Sequence, residues 1–136
     1  MRYLAIDYGI KRTGLAICDI SETIVSPLAV IQGQKHLLQK ITEIVNSENV
    51  EAIVLGLPLN MDDSQGGQAK VVLQFADRLK ELLDIPVHLQ DERLSTFGAA
   101  EKLAEAGFAG KKKKARLDAI AAAEILHAFL EHKNKH

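Results

Sequence analysis

The feature that most constrains this chain is a change of rhythm near Ile31. Up to that residue the apolar runs are short and β-like, at Tyr3–Ile6, Gly14–Cys18 and Thr23–Ile31; beyond it, apolar residues at helical spacing alternate with further short runs. The tight Gly9-Ile10-Lys11-Arg12-Thr13 connection makes a hairpin of the first two strands. Pro27 assigns the third to an edge or a bulge, because proline has no N–H to give to a ladder. Leu37, Leu38, Ile41, Ile44 and Val45 predict a helix over Lys35–Ser47. Ala52–Leu55 reads as a strand broken by Gly56-Leu57-Pro58, and Val72, Ala76, Leu79 and Leu83 mark a helix stopped by Pro86. Val87–Leu89 is a brief strand. Ser95 or Thr96 caps a helix to about Ala106 with Gly107 as its stop, Gly110–Lys114 reads as a basic loop, and a final helix runs roughly over Ala115–Glu131. An antiparallel start followed by right-handed crossovers makes the remaining strands parallel, which is an α/β fold.

With 136 residues and 47% apolar content, the chain is expected to build one core, as a single domain over residues 1–136 without repeat or linker. A lone cysteine, Cys18, excludes a disulfide framework; set in an apolar run, it reads as a buried, inert thiol suited to a reducing cytoplasm. The apolar stretch before Asp7 is too short for a signal-peptide core, and no later run would span a bilayer, so neither export by that route nor a membrane partner is expected. A net charge of -1 means that a nucleic-acid partner must be held by a local basic patch.

Three acids stand where such a fold gathers ligands. Asp7 ends the first strand, and Glu92, in Gln90-Asp91-Glu92-Arg93, follows the last one. Asp118 falls in the expected first turn of an alanine-rich helix, where the helix dipole favours an anion. Singly, each has an ordinary explanation: a turn-starting Asp, a solvated loop acid, a helix-end acid. Together they could converge on a hard cation, magnesium or manganese, of the kind that supports phosphodiester hydrolysis. Zinc does not fit, because one cysteine and His36, His88, His127, His132 and His136 offer no compact ligand spacing.

Lys111, Lys112, Lys113 and Lys114, followed by Arg116, place five cations just before Asp118. A lysine run is usually solvated surface, but beside a candidate metal ligand it would attract the phosphate backbone, and Lys11, Arg12 and Arg93 could extend the patch. The loop from Gly56 to Gly67 could clamp an anion through Ser64, Gln65 and the amides of Gly66 and Gly67, or be a plain connection. Neither a Walker loop nor a dinucleotide fingerprint is present, no Ser-His-Asp or Cys-His set stands out, and aromatic residues are too few for a base-stacking platform.

Four ordered motifs, covering nearly the whole chain, resemble one family. Leu4-Ala-Ile-Asp-Tyr-Gly-Ile-Lys-Arg-Thr-Gly14, Ile53-Val-Leu-Gly-Leu-Pro58 with Gly66-Gly67, Asp91-Glu-Arg-Leu-Ser-Thr96 and Lys112-Lys-Lys-Ala-Arg-Leu-Asp-Ala119 are similar to the YqgF-type, RuvC-like nucleases of the RNase H-like superfamily, described as Holliday junction resolvases and pre-16S rRNA nucleases. The resemblance implies a mixed five-stranded sheet with helices on both faces. It also implies Asp7 on the central strand and Asp118 on the last helix as metal ligands, with Glu92 as the third acid. RuvC resolvases carry their second acid on the fourth strand, where this chain has Gly56-Leu57-Pro58. The last helix also lacks a second acid for the site, and the two departures favour a metal-dependent hydrolase trimming the 5′ end of precursor 16S rRNA in ribosome biogenesis over a Holliday junction resolvase in DNA recombination and repair. Precursor rRNA or branched DNA is the implied partner, ribosomal particles are a further one, and the chain would act as a monomer or, for junctions, a homodimer. A different class remains open: a non-catalytic RNA- or ribosome-binding factor that kept the fold and the basic segment. A sugar-kinase or actin-like ATPase would need paired domains, for which the chain is short.

Overall fold

The structure, a computed structural model, describes residues 1–59, 66–92 and 110–134, with side chains from Leu117 onward in the last segment. Its elements are β1 (Tyr3–Asp7), β2 (Arg12–Cys18), β3 (Val25–Gln32), α1 (Leu37–Ser47), β4 (Ala52–Leu57), α2 (Gly67–Leu82), β5 (Val87–Asp91) and α3 (Gly110–Asn134). The strands form one sheet in the order β3-β2-β1-β4-β5. β1 pairs antiparallel with β2 and parallel with β4, β2 pairs antiparallel with β3, and β4 pairs parallel with β5. This is the expected mixed α/β sheet, with β1 at its centre.

Both expectations for Pro27 hold, since β3 is an edge strand and its register with β2 slips between Leu15 and Ala16, where Ala16 faces Pro27. Alternation along the strands sorts side chains onto two faces. Leu4, Ile6, Leu15, Ile17, Ile53 and Leu55 pack with the buried faces of α1 (Leu37, Ile41, Val45) and α2 (Val72, Phe75, Ala76, Leu79). On the other face, Tyr3, Ala5, Ala16, Cys18, Ala52 and Val54 are covered by Ala122, Ala123, Ile125, Leu126 and Leu130 of α3. Cys18 is a buried free thiol, as its apolar setting implies.

Several boundaries differ from expectation: β2 begins at Arg12 and not Gly14, so Arg12 and Thr13 belong to the strand and not to the hairpin connection, β3 covers Val25–Gln32 and not Thr23–Ile31, and α1 begins at Leu37 and not Lys35. β4 runs on through Gly56 to Leu57, so Gly56 sits inside a strand, and β5 extends to Asp91 because both residues continue the parallel β4–β5 ladder. The expected loop at Gly110–Lys114 is helix: α3 starts at Gly110, and Lys111–Lys114 lie in its opening turns, in keeping with the helix propensity of lysine and alanine. The helix expected over Ser95–Ala106 lies outside the described residues. Among the described residues, no helix is long and apolar enough to cross a membrane.

Candidate functional site

β1 ends at Asp7, whose side chain follows Tyr3 and Ala5 onto the α3 face. Glu92 comes directly after β5, two strands away, or about 10 Å at the usual interstrand spacing. Gly56 of β4, between them, lets Glu92 lean back across the sheet. A Cβ at residue 56 would lie 2.6 Å from Glu92 Oε1, 2.8 Å from its Cγ and 2.6 Å from Ile125 Cδ1. The Glu92 carboxylate therefore occupies the space of the missing side chain, and Asp7 and Glu92 share a hydrogen bond. Burial first, then that bond and the charges of Glu92 and Asp118, push the Asp7 carboxyl up from 3.8 to about 9. Asp7 thus keeps its proton well above the ordinary aspartate range, in a place short of positive charge.

Asp118 reaches the same neighbourhood from α3, but not from a helix end. Because α3 begins at Gly110 and not Ala115, Asp118 lies in its third turn and not its first, beyond the reach of the terminal dipole. Close packing sets its position: a Cβ on Gly14, the partner of Asp7 in the β1–β2 ladder, would collide with the backbone carbonyl of Asp118. Glycine at residue 14 lets α3 settle onto the sheet beside Asp7. Arg12 Nε donates to Asp118 Oδ2 at 2.8 Å, with the two side chains 29% and 25% exposed. Among the described residues, no three His, Cys, Asp or Glu side chains stand in an arrangement ready to hold a metal ion. Asp7 and Glu92 are together; Asp118 is adjacent and turned to Arg12.

The hairpin turn after Asp7 is pinned from several sides. Tyr8 stacks on Phe75 of α2, with ring centroids 4.1 Å apart, and its hydroxyl donates to Gln34 Oε1 at 2.7 Å. Gln34 Nε2 donates to the carbonyls of Gly9 and Ile10, both at 2.9 Å, and Thr13 Oγ1 donates to the Gly9 carbonyl at 3.3 Å. These bonds fix the backbone that carries Asp7.

Of the candidate phosphate-binding cations, Lys11 is exposed on this turn and Arg12 is paired with Asp118. Lys111, Lys112, Lys113, Lys114 and Arg116 lie on the α3 backbone before Asp118, and their side chains are outside the described residues, as are Arg93, Ser64 and Gln65 entirely. His88 belongs to a ring cluster with Tyr3 and Phe129. Sequence reading missed Gly14, Gly56 and the Tyr8–Gln34 brace. A glycine inside an otherwise β-branched run was the available signal for Gly56, since it marks a close approach.

Known proteins agree with this architecture. A family model described as "RuvX: Holliday junction resolvase" matches residues 1–132. A protein of Anaeromyxobacter sp. (strain Fw109-5) named "Putative pre-16S rRNA nuclease" is 41% identical over 133 residues, covering 96% of this chain and 97% of that one. One of Endomicrobium trichonymphae with the same name is 42% identical over 134 residues, covering 96% and 95%. Among solved structures, the fold matches Thermus thermophilus RuvC in complex with a Holliday junction substrate, with a TM-score of 0.60 at 16% identity over 98% of this chain and 96% of that one. The fowlpox virus resolvase bound to junction DNA matches with a TM-score of 0.61 at 12% identity, covering 98% and 99%. The mixed sheet with β1 at its centre is thus the RuvC-like, RNase H-like fold, and the chain belongs to the RuvX (YqgF) family of nucleases.

Proposed function

We propose that this chain is a divalent-metal-dependent nuclease that hydrolyses phosphodiester bonds in structured nucleic acid, and that its task is 5′-end processing of precursor 16S rRNA in the cytoplasm. The observation that carries the reading is the Asp7–Glu92 pair closed over Gly56, with Asp118 beside it. Two hydrogen-bonded, partly buried carboxyl side chains fit an oxygen-liganded cation, and the donor set Asp7, Glu92 and Asp118 offers oxygen and neither thiolate nor imidazole, which suits magnesium or manganese. When bound, such a cation supplies Lewis acidity at the scissile phosphate and lowers the pKa of its water. Asp7 and Glu92 would hold it once the Asp7 proton is lost to solvent, and Asp118 would add a further oxygen from α3. Lys11 and the cations of Lys111–Lys114, Arg116 and Arg93 bring the phosphate backbone to the acids.

RNA processing is favoured by the names of relatives near 40% identity over almost the full chain. Junction resolution is the second reading, favoured by the family description and by the junction DNA held by the structural neighbours. The test is cleavage of a 5′-extended 16S rRNA precursor and of a four-way DNA junction, each with magnesium or manganese, comparing the unaltered chain with Asp7→Asn and Asp118→Asn. Metal-dependent cutting lost in both variants, with nucleic-acid binding retained, supports the nuclease reading and ranks the substrates. Binding without cutting by the unaltered chain supports a non-catalytic RNA-binding factor instead.

A further inference from the structure

The Arg12–Asp118 pair calls for an explanation beyond stability. A partly exposed ion pair contributes little to folding, typically under about 1 kcal/mol, yet this one ties up a carboxylate on the face that carries Asp7 and Glu92. Building on the metal-nuclease reading, we propose that Arg12 is a positioning residue that holds Asp118 aside until a backbone phosphate draws its guanidinium away, so that metal and nucleic acid bind cooperatively.

The geometry supports an exchange of partners. Arg12 opens β2, with its backbone fixed opposite Gln32 while its side chain remains 29% exposed. It follows the turn whose tip, Ile10, is 62% exposed, and it neighbours the exposed Lys11, so a phosphate arriving at the turn meets Arg12 directly. The contact to Asp118 uses the Nε–H, one of five guanidinium donors, and a guanidinium binds phosphate through two parallel bonds as readily as carboxylate.

The charge balance gives the exchange its direction. Asp7, Glu92 and Asp118 lie near one another, and Arg12 offsets the charge of Asp118. A divalent cation at the Asp7–Glu92 pair would repel the guanidinium and attract Asp118, while an incoming phosphate offers the displaced guanidinium a new anion. Each ligand therefore removes an obstacle to the other, and linkage makes the coupling reciprocal.

The experiment measures manganese affinity by electron paramagnetic resonance of the free ion, with and without a phosphorothioate RNA hairpin. The chains compared are the unaltered protein, Arg12→Gln, Arg12→Lys, Lys11→Ala and Asp7→Asn, each confirmed as folded by thermal unfolding. The hairpin should tighten manganese binding to the unaltered chain by about tenfold, within the usual range of coupling between sites. Arg12→Gln should bind manganese more tightly than the unaltered chain when no RNA is present, and should lose most of the tightening on adding RNA. Arg12→Lys should restore part of it. Lys11→Ala, which removes an equal charge without the tether, should weaken RNA binding but keep the coupling factor. Equal coupling in the unaltered chain and Arg12→Gln, or none in the unaltered chain, overturns the inference while leaving the metal site intact. Manganese binding undiminished by Asp7→Asn would instead remove the underlying metal assignment, and this inference with it.

Discussion

Replacing Asp7 with asparagine should stabilise the metal-free protein, by an amount that grows with pH. The folded chain holds the Asp7 carboxyl at about 9, against 3.8 for an ordinary aspartate. A raised carboxyl means that the folded state binds a proton the unfolded state gives up, so the associated stability is complete below about pH 4 and is lost as pH rises toward 9. Between those limits the loss is about 1.4 kcal/mol per pH unit, which reaches roughly 4 kcal/mol at pH 7. Asparagine keeps the shape and can still donate a hydrogen bond to Glu92, but it carries no such proton. In chelator, the melting temperature of Asp7→Asn relative to the unaltered chain should therefore climb by roughly 4 °C per pH unit between about pH 5 and about pH 8. Manganese should close the gap by stabilising the unaltered chain alone, because a bound cation replaces the proton. Differential scanning calorimetry across that range decides the matter. A constant offset between the two chains, or an unaltered chain that grows more stable relative to the variant as pH rises, would refute the account of the carboxyl pair.

Three other outcomes follow from the same packing. Gly14→Ala drives a methyl into the backbone carbonyl of Asp118, which cannot swing aside as a side chain would, so the chain should lose about 2 to 3 kcal/mol in urea unfolding. Gly56→Ala meets movable groups, the Glu92 side chain and Ile125 Cδ1. It should cost only about 1 kcal/mol of stability while lowering metal affinity, which calorimetric titration with manganese would show. Asp19 accepts hydrogen bonds from the Thr23 and Ile24 amides and the Thr23 hydroxyl, and these hold its carboxyl down to about 2. That loop support is present above the ordinary aspartate range and disappears as pH falls through about 2, so the Asp19 carboxyl resonance in an NMR titration should turn there and not near 3.8.

Most of the sheet was legible because its information is local. Short apolar runs, helical spacing after Ile31 and one proline were enough to give the hairpin, the edge strand and the crossovers. The start of α3 was not legible, since a glycine followed by four lysines has the composition of a loop although lysine is a good helix former, and packing of the helix beyond it decides the outcome. Gly56 read as a strand breaker because periodicity does not reveal that a carboxylate from β5 lies over it. The acids themselves were marked by strand ends, but the Arg12–Asp118 pair joins residues 106 apart in sequence, and no local pattern predicts it.

The placement of α3 also bears on the order of events during synthesis. Asp7 is made well before Asp118, and one helix both covers the second face of the sheet and delivers that acid. While the chain is growing, Tyr3, Ala5, Ala16, Cys18, Ala52 and Val54 present an apolar face awaiting a cover, and the third acid does not yet exist. Completion of the core and arrival of Asp118 are thus a single event, so an unfinished chain emerging close to ribosomal RNA lacks the third acid of the proposed set.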